Sequence, residues 1–185
     1  LEPLKPFKLL KLVIVRHGVT LENAANIAQG QTDGTLSPEG KAANEELGRE
    51  LQQHFFKTIY SSPLGRALQT AETIQRYNPH THLIVDRRLM ERHLGILQEK
   101  PYPIPYAEAD VYEGMETAAS MKARLNEFLA DIKQQHKEET IVLVSHGYLI
   151  KVLLSILHGW PVEEFHQVKL MGNSAYTEVV LRYDS

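Results

Sequence analysis

Two stretches decide how this chain folds: "VIVRHG", residues 13–18, and "VLVSHG", residues 142–147. Each is a short run of β-branched and apolar residues that stops at a histidine followed by a glycine. Runs this short and this rich in Val and Ile predict buried strands, not helices. A histidine closing a buried strand is poorly explained by packing, because part of its ring must face a polar partner. In open α/β sheets, ligands collect beyond the carboxyl ends of the strands. If the two runs are neighbouring strands, His17 and His146 stand on one rim.

Working outward, further strands are expected at 58–62, 82–86 and 175–183, the last as an exposed or edge strand, beside those at 9–16 and 140–145. Helices are expected at 38–54, 64–77, 117–135 and 148–158. The first carries Ala43, Leu47, Leu51 and Phe55 at four-residue intervals, and the last is apolar almost all round. Ser37-Pro38 and Ser62-Pro63 read as helix N-caps with proline in the first turn. Residues 94–115 include "PYPIPY" and predict an irregular surface excursion near the rim. Helices alternating with fully apolar strands predict an α/β fold, a three-layer αβα sandwich around a mostly parallel sheet. The length of 185 residues fits one domain spanning 1–185.

Composition narrows the function. With 43% hydrophobic residues, 23% charged residues and a net charge of -3, the chain offers no basic surface for nucleic acid or membrane partners. No run approaches the roughly 18 apolar residues of a membrane span. The opening "LEPLKPFKLLKLVIV" has lysines and prolines and does not read as a signal peptide. Cysteine is absent, which excludes disulfides, thiolate metal sites and cysteine nucleophiles, and is compatible with the expected cytoplasmic location.

The residues just past the strand ends are Arg16, His17 and Gly18, then Ser61, Ser62 and Arg66, then Glu91, and finally Ser145, His146 and Gly147. Two arginines, two histidines and a carboxylate suit a phosphate dianion, since the guanidinium fork matches phosphate oxygens. The glycines are expected to let the backbone turn sharply and bring N–H groups near a ligand. One neutral imidazole can attack phosphorus, and arginine beside it disfavours the imidazolium. The other can donate to the phosphoryl oxygens in the transition state, and Glu91 is the natural acid for an alcohol leaving group.

"RHGVTLEN" at 16–23, "QGQTDGTLSPEG" at 29–40, "SSPLGRALQTAETI" at 61–74, "LMERHLG" at 89–95, "GME" followed by Arg124, and "VSHG" at 144–147 together resemble the histidine phosphatase superfamily, the phosphoglycerate mutase-like group. The resemblance runs from about residue 11 to 180. It implies a phosphoglycerate mutase-like fold and a metal-independent phosphomonoester hydrolase that needs no cofactor. It also implies His17 as the phosphorylated nucleophile, Arg16, Arg66 and His146 around the phosphate, and Glu91 as the proton donor. Gly18, Thr20, Asn23, Gln29, Gly30 and Gly147 are implied around the substrate, a small phosphorylated metabolite.

Two departures set the alternatives. Leu94 stands where related mutases usually carry a tyrosine, and residues 99–113 hold one lysine and no arginine. Fixed cations are needed to retain a bisphosphate or a carboxylate, so hydrolysis is favoured over a 2,3-bisphosphoglycerate-dependent phosphoglycerate mutase. A non-catalytic module that binds phosphorylated ligands is a further alternative, disfavoured because binding alone needs no proton donor. His80 and His82 look like an exposed turn without a third ligand, His93 reads as structural, and Lys100, Tyr106 and Tyr112 are candidates for substrate contact from the excursion.

Overall fold

The two histidine-terminated runs are adjacent parallel strands in the computed structural model, which describes residues 1–3 and 6–184. Positions 4, 5 and 185 of the expected single-domain span lie outside the described residues. Strand β1 (Phe7–Arg16) pairs with β4 (Thr140–Ser145) in a register that sets Val13 opposite Val142, Val15 opposite Val144 and Arg16 opposite Ser145. On the far side of β4 lie β2 (Thr58–Ser61) and then β3 (His82–Val85), both parallel. β5 (Tyr176–Asp184) runs antiparallel beside β1, giving the order β3-β2-β4-β1-β5 among the described residues.

Alternation along β1 divides the core. Leu10, Leu12 and Ile14 face one side and pack with helices α4 (Ala118–Gln135) and α5 (Gly147–His158). Val13 and Val15 face the other and pack with α2 (Pro38–Leu51) and α3 (Gly65–Tyr77). The result is the expected three-layer sandwich, with the central strands β2, β4 and the carboxyl half of β1 buried from both faces and the outer strands β3 and β5 partly exposed. A short α1 (Leu21–Ala24) follows the first histidine.

Some boundaries differ from the expectation. α2 stops at Leu51, and residues 52–54 form a turn through the Gln53 and His54 N–H groups. Phe55 is therefore turned outward, 73% exposed, and Phe56 enters the core in its place. Ser62 is not the N-cap residue of α3; that position is Leu64, whose N–H nevertheless donates to Ser62 Oγ at 3.2 Å. Ser37 does cap α2, accepting the Gly40 N–H at 3.0 Å.

The excursion over 94–115 is irregular, yet it has its own small core. A 3-10 turn (Gly95–Leu97) and bridges Leu94–Met115 and Ile27–Pro101 fold it back against residues 26–28. Leu94, Leu97, Met115 and Ala28 pack there with Tyr102, Tyr106 and Tyr148.

α2 meets the loop after the first histidine at very close range. A Cβ on Gly40 would lie 2.2 Å from the Val19 carbonyl oxygen, while Val19 O accepts from both the backbone N–H and the hydroxyl of Ser37. Gly40→Ala is expected to lower stability by about 1–3 kcal/mol through overpacking. A urea midpoint equal to wild type would show that the loop yields freely.

Candidate active site

Because β1 and β4 share their register, the His17 N–H donates to Ser145 O at 3.2 Å and the two histidine rings lie 5.1 Å apart between centroids. His17 Nδ1 is 2.7 Å from the Gly18 carbonyl, an acceptor only, so Nδ1 carries the hydrogen and Nε2 keeps its lone pair. That Nε2 receives the Arg66 Nε–H at 3.3 Å. His146 Nε2 lies 2.8 Å from Ser62 Oγ, and its buried Nδ1 has no partner.

Arg66 is 2% exposed and donates to the carbonyls of Gly30 and Thr32, while Arg16 donates to Met171 O at 2.7 Å. Among the described residues, neither guanidinium pairs with a carboxylate. Burial lowers Arg66 to about 10, which leaves it charged at neutral pH. Burial first, and then the Arg66 charge, hold both histidines well below the usual imidazole range. Two neutral rings therefore face two cations.

Glu91 is 8% exposed and sits at the start of α5. Its Oε1 accepts the N–H groups of Arg92 and Leu149 at 2.8 and 3.0 Å, and its Oε2 accepts that of Tyr148 at 3.1 Å. A surface pairing with Arg87, Arg88 or Arg92 is not formed; Arg88 pairs instead with Asp86 and Asp131. Arg124 fixes this segment from below. It donates to the carbonyls of Arg88, Met90 and Glu91 and forms an ion pair with Glu116, which its hydrogen bonds hold below the usual carboxylate range despite burial.

Support for His17 comes from residues that sequence reasoning missed. Asn173 Nδ2 and the Ser174 N–H both donate to the His17 carbonyl. Ser174 Oγ donates to Asn44 Oδ1, Asn44 Nδ2 donates to Thr70 Oγ1, and the Gly18 N–H donates to the same Thr70 oxygen at 3.1 Å. Asn44 and Thr70 lie fully buried, Asn44 among the otherwise apolar inward residues of α2 and Thr70 on α3 one turn beyond the buried Arg66, a polar-inward signal that was available. Gly18 and Gly147 differ from expectation in their purpose. Neither adopts a left-handed φ; each leaves room, since a Cβ would come within 2.8 Å of Asn44 Oδ1 or Leu170 Cδ1 respectively.

These groups open into a cleft of about 380 Å³. Of the expected residues, Arg16, His17, Asn23, Gln29, Gly30, Arg66, Glu91 and Gly147 line it. His146 lies fully buried behind His17. Thr20 is also fully buried; it caps α1, its Oγ1 accepting the Asn23 N–H at 3.0 Å, and Gly18 is tied to Thr70, so neither forms the wall. From the excursion Tyr106 reaches the cleft together with Tyr102, but Lys100 and Tyr112 do not line it. His93 Nδ1 accepts the Gly95 N–H at 3.0 Å, a structural turn. His80 is exposed and stacks on Phe55, and His136, buried, bridges Tyr60 and Glu139. Among the described residues no group of three or more His, Cys, Asp or Glu could hold a metal ion, and no helix is long and apolar enough to cross a membrane.

Comparison with known proteins gives a consistent setting. The histidine phosphatase superfamily, branch 1, matches residues 12–185. Phosphoserine phosphatase 1 of Hydrogenobacter thermophilus is 29% identical over 171 residues, covering 85% of this chain and 80% of that protein. Phosphoglycerate mutase-like protein 4 of Arabidopsis thaliana is 32% identical over 158 residues, covering 77% of this chain and 69% of its own length. The solved mycobacterial glucosyl-3-phosphoglycerate phosphatase superposes with a TM-score of 0.83 at 28% identity, over 91% of this chain and 90% of that one.

The neutral histidines make stability depend on pH. In the unfolded chain both take up protons as pH falls through about 6.5, whereas the folded rings stay neutral to lower pH. Their contribution is fully present above about pH 6.5 and is lost on acidification, by up to about 1.4 kcal/mol per histidine per pH unit. The drop in urea midpoint between pH 7 and pH 5 is expected to be smaller in His146→Gln than in wild type. An identical drop would mean that His146 is protonated in the fold.

Proposed function

The chain belongs to the histidine phosphatase superfamily and is a phosphatase of small phosphorylated substrates, and from that membership we propose that it hydrolyses phosphate monoesters through a phosphohistidine on His17. The observation that carries the reading is the fixed tautomer of His17, whose Nε2 lone pair faces Arg66 in the cleft.

Arg16, Arg66 and His146 hold the phosphoryl oxygens. Displacing the Arg66 Nε–H from His17 Nε2 toward a phosphate oxygen frees the lone pair as the ester arrives. Nε2 attacks phosphorus, an N–P bond forms, and the ester P–O bond breaks. The charge gained by the ring is met by the Gly18 carbonyl at Nδ1. Protonated Glu91 gives its proton to the departing oxygen. In the second half, Glu91 as carboxylate takes a proton from water while the water oxygen attacks phosphorus, the N–P bond breaks, and inorganic phosphate leaves with Glu91 protonated again. The three backbone N–H groups on Glu91 hold its carboxyl group in one position for both proton transfers.

Mutase cycling needs fixed cations away from the transferred phosphate. Among the described lining residues the permanent cations are Arg16 and Arg66, both beside His17, which supports hydrolysis.

Hydrolysis of p-nitrophenyl phosphate is expected to persist in EDTA and to fall to background in His17→Ala. Glu91→Gln is expected to slow hydrolysis of an alkyl phosphate by about 100- to 10,000-fold, and of p-nitrophenyl phosphate far less, because p-nitrophenolate leaves without a proton. Acid-labile radiolabelled phosphate should be trapped on wild type and not on His17→Ala. Bisphosphoglycerate-dependent formation of 2-phosphoglycerate without phosphate release would overturn the proposal.

A further inference from the structure

Away from His17 the cleft changes character. Tyr102 and Tyr106, 4.7 Å apart between ring centroids, come from the excursion, and Tyr148 comes from the first turn of α5. The Tyr106 and Tyr148 hydroxyls are 3.3 Å apart. Burial pushes Tyr102 up to about 12 and raises Tyr148 too, so this wall presents neutral hydroxyls and ring faces.

Besides Arg16 and Arg66, which the phosphate occupies, Lys151 and Arg92 lie near this wall among the described residues, and each is already engaged. Lys151, on α5 and only 3% exposed, forms an ion pair at 2.7 Å with Glu108, a cleft-lining residue of the excursion. Arg92, 2% exposed, donates to the backbone carbonyls of Glu116 and Glu108 and lies over the Phe165 ring. An ester whose phosphate sits on Arg16 and Arg66 thus projects its alcohol portion toward tyrosines and the Glu108 carboxylate. A carboxylate placed there loses water and gains no free cation beyond the two arginines already shared with the phosphate, which is costly. A hydroxyl gains donors and acceptors from the tyrosines and from Asn23 and Asn26, which also line the cleft.

We infer that the alcohol end of this cleft takes an uncharged, hydroxyl-bearing group, of the sugar or polyol class, and turns away carboxylate-bearing esters, with the Glu108–Lys151 pair setting that choice. The inference rests on the phosphatase reading for its substrate. In wild type, kcat/KM for glucose 6-phosphate and ribose 5-phosphate is expected to exceed that for 3-phosphoglycerate and phosphoserine by about tenfold or more. Glu108→Gln releases the Lys151 charge and is expected to shrink the preference at least about threefold, and Lys151→Met to widen it. The double variant Glu108→Gln/Lys151→Met, neutral like the pair, should return toward the wild-type ratio. A purely structural role would lower both substrate classes alike, with no return in the double variant.

Equal or faster turnover of the acids by wild type overturns the inference, as does an unchanged ratio in a folded Glu108→Gln. Should p-nitrophenyl phosphate and all esters stay intact, the phosphatase reading fails, and calorimetric binding of the same esters to His17→Ala decides the inference alone. Tighter binding of the sugar phosphates supports it, and tighter binding of the acids refutes it.

Discussion

A positive charge buried without a carboxylate is the constraint on which the rest of this molecule depends. Arg66 is held by the carbonyl dipoles of Gly30 and Thr32, which orient the guanidinium without cancelling its charge. Desolvating such a cation is costly, and a dianion is what best compensates it. Burial first, and then the same charge, keep His17 and His146 neutral, so the cation that attracts phosphate also helps hold both rings uncharged. It also dictates the loop geometry. Gly30 sits at φ 55° where a Cβ would collide with Gln98 Oε1, and that oxygen accepts the Gln31 and Leu94 N–H groups. The segment that grips Arg66 is therefore the one on which the excursion is anchored.

The rim was legible because it follows from local pattern. Apolar runs ending in Arg-His-Gly and Ser-His-Gly point to strands, and once β1 and β4 are parallel neighbours Arg16, His17 and His146 converge, with Arg66 joining them from α3 because β2 flanks β4 on the other side. Helices α2 to α5 were likewise visible from their periodicity, apart from an over-long α2 whose end depends on a turn that no periodicity encodes. The glycines were identified, but their physical purpose was not. Closeness to Asn44 and Leu170 is a tertiary fact that a conformational argument cannot anticipate.

Other parts of the site were hidden for a specific reason. Asn173 and Ser174 reach the His17 carbonyl across more than 150 residues, and nothing local in "GNSAY" announces it. Thr20 looked like a ligand contact because it lies near the motif, but its hydroxyl is consumed in capping α1. In the excursion, tyrosines that read as loop residues form a small core with Leu94 and Met115, and only packing shows which of them reach the cleft.

The reliance of His17 on distant segments has a consequence for how the protein is made. Its ring is carried on β1, but the ladder partner β4 and the clamp at 173–174 are separated from it by most of the chain, 156 residues in the case of Asn173. Long-range pairing of this kind closes late. On a ribosome, β1 emerges with His17 and waits, unsupported, while the two helical layers are synthesised. A partly translated chain thus lacks the finished rim, and the arginines, histidines and clamp come together only after the central sheet has shut around His17.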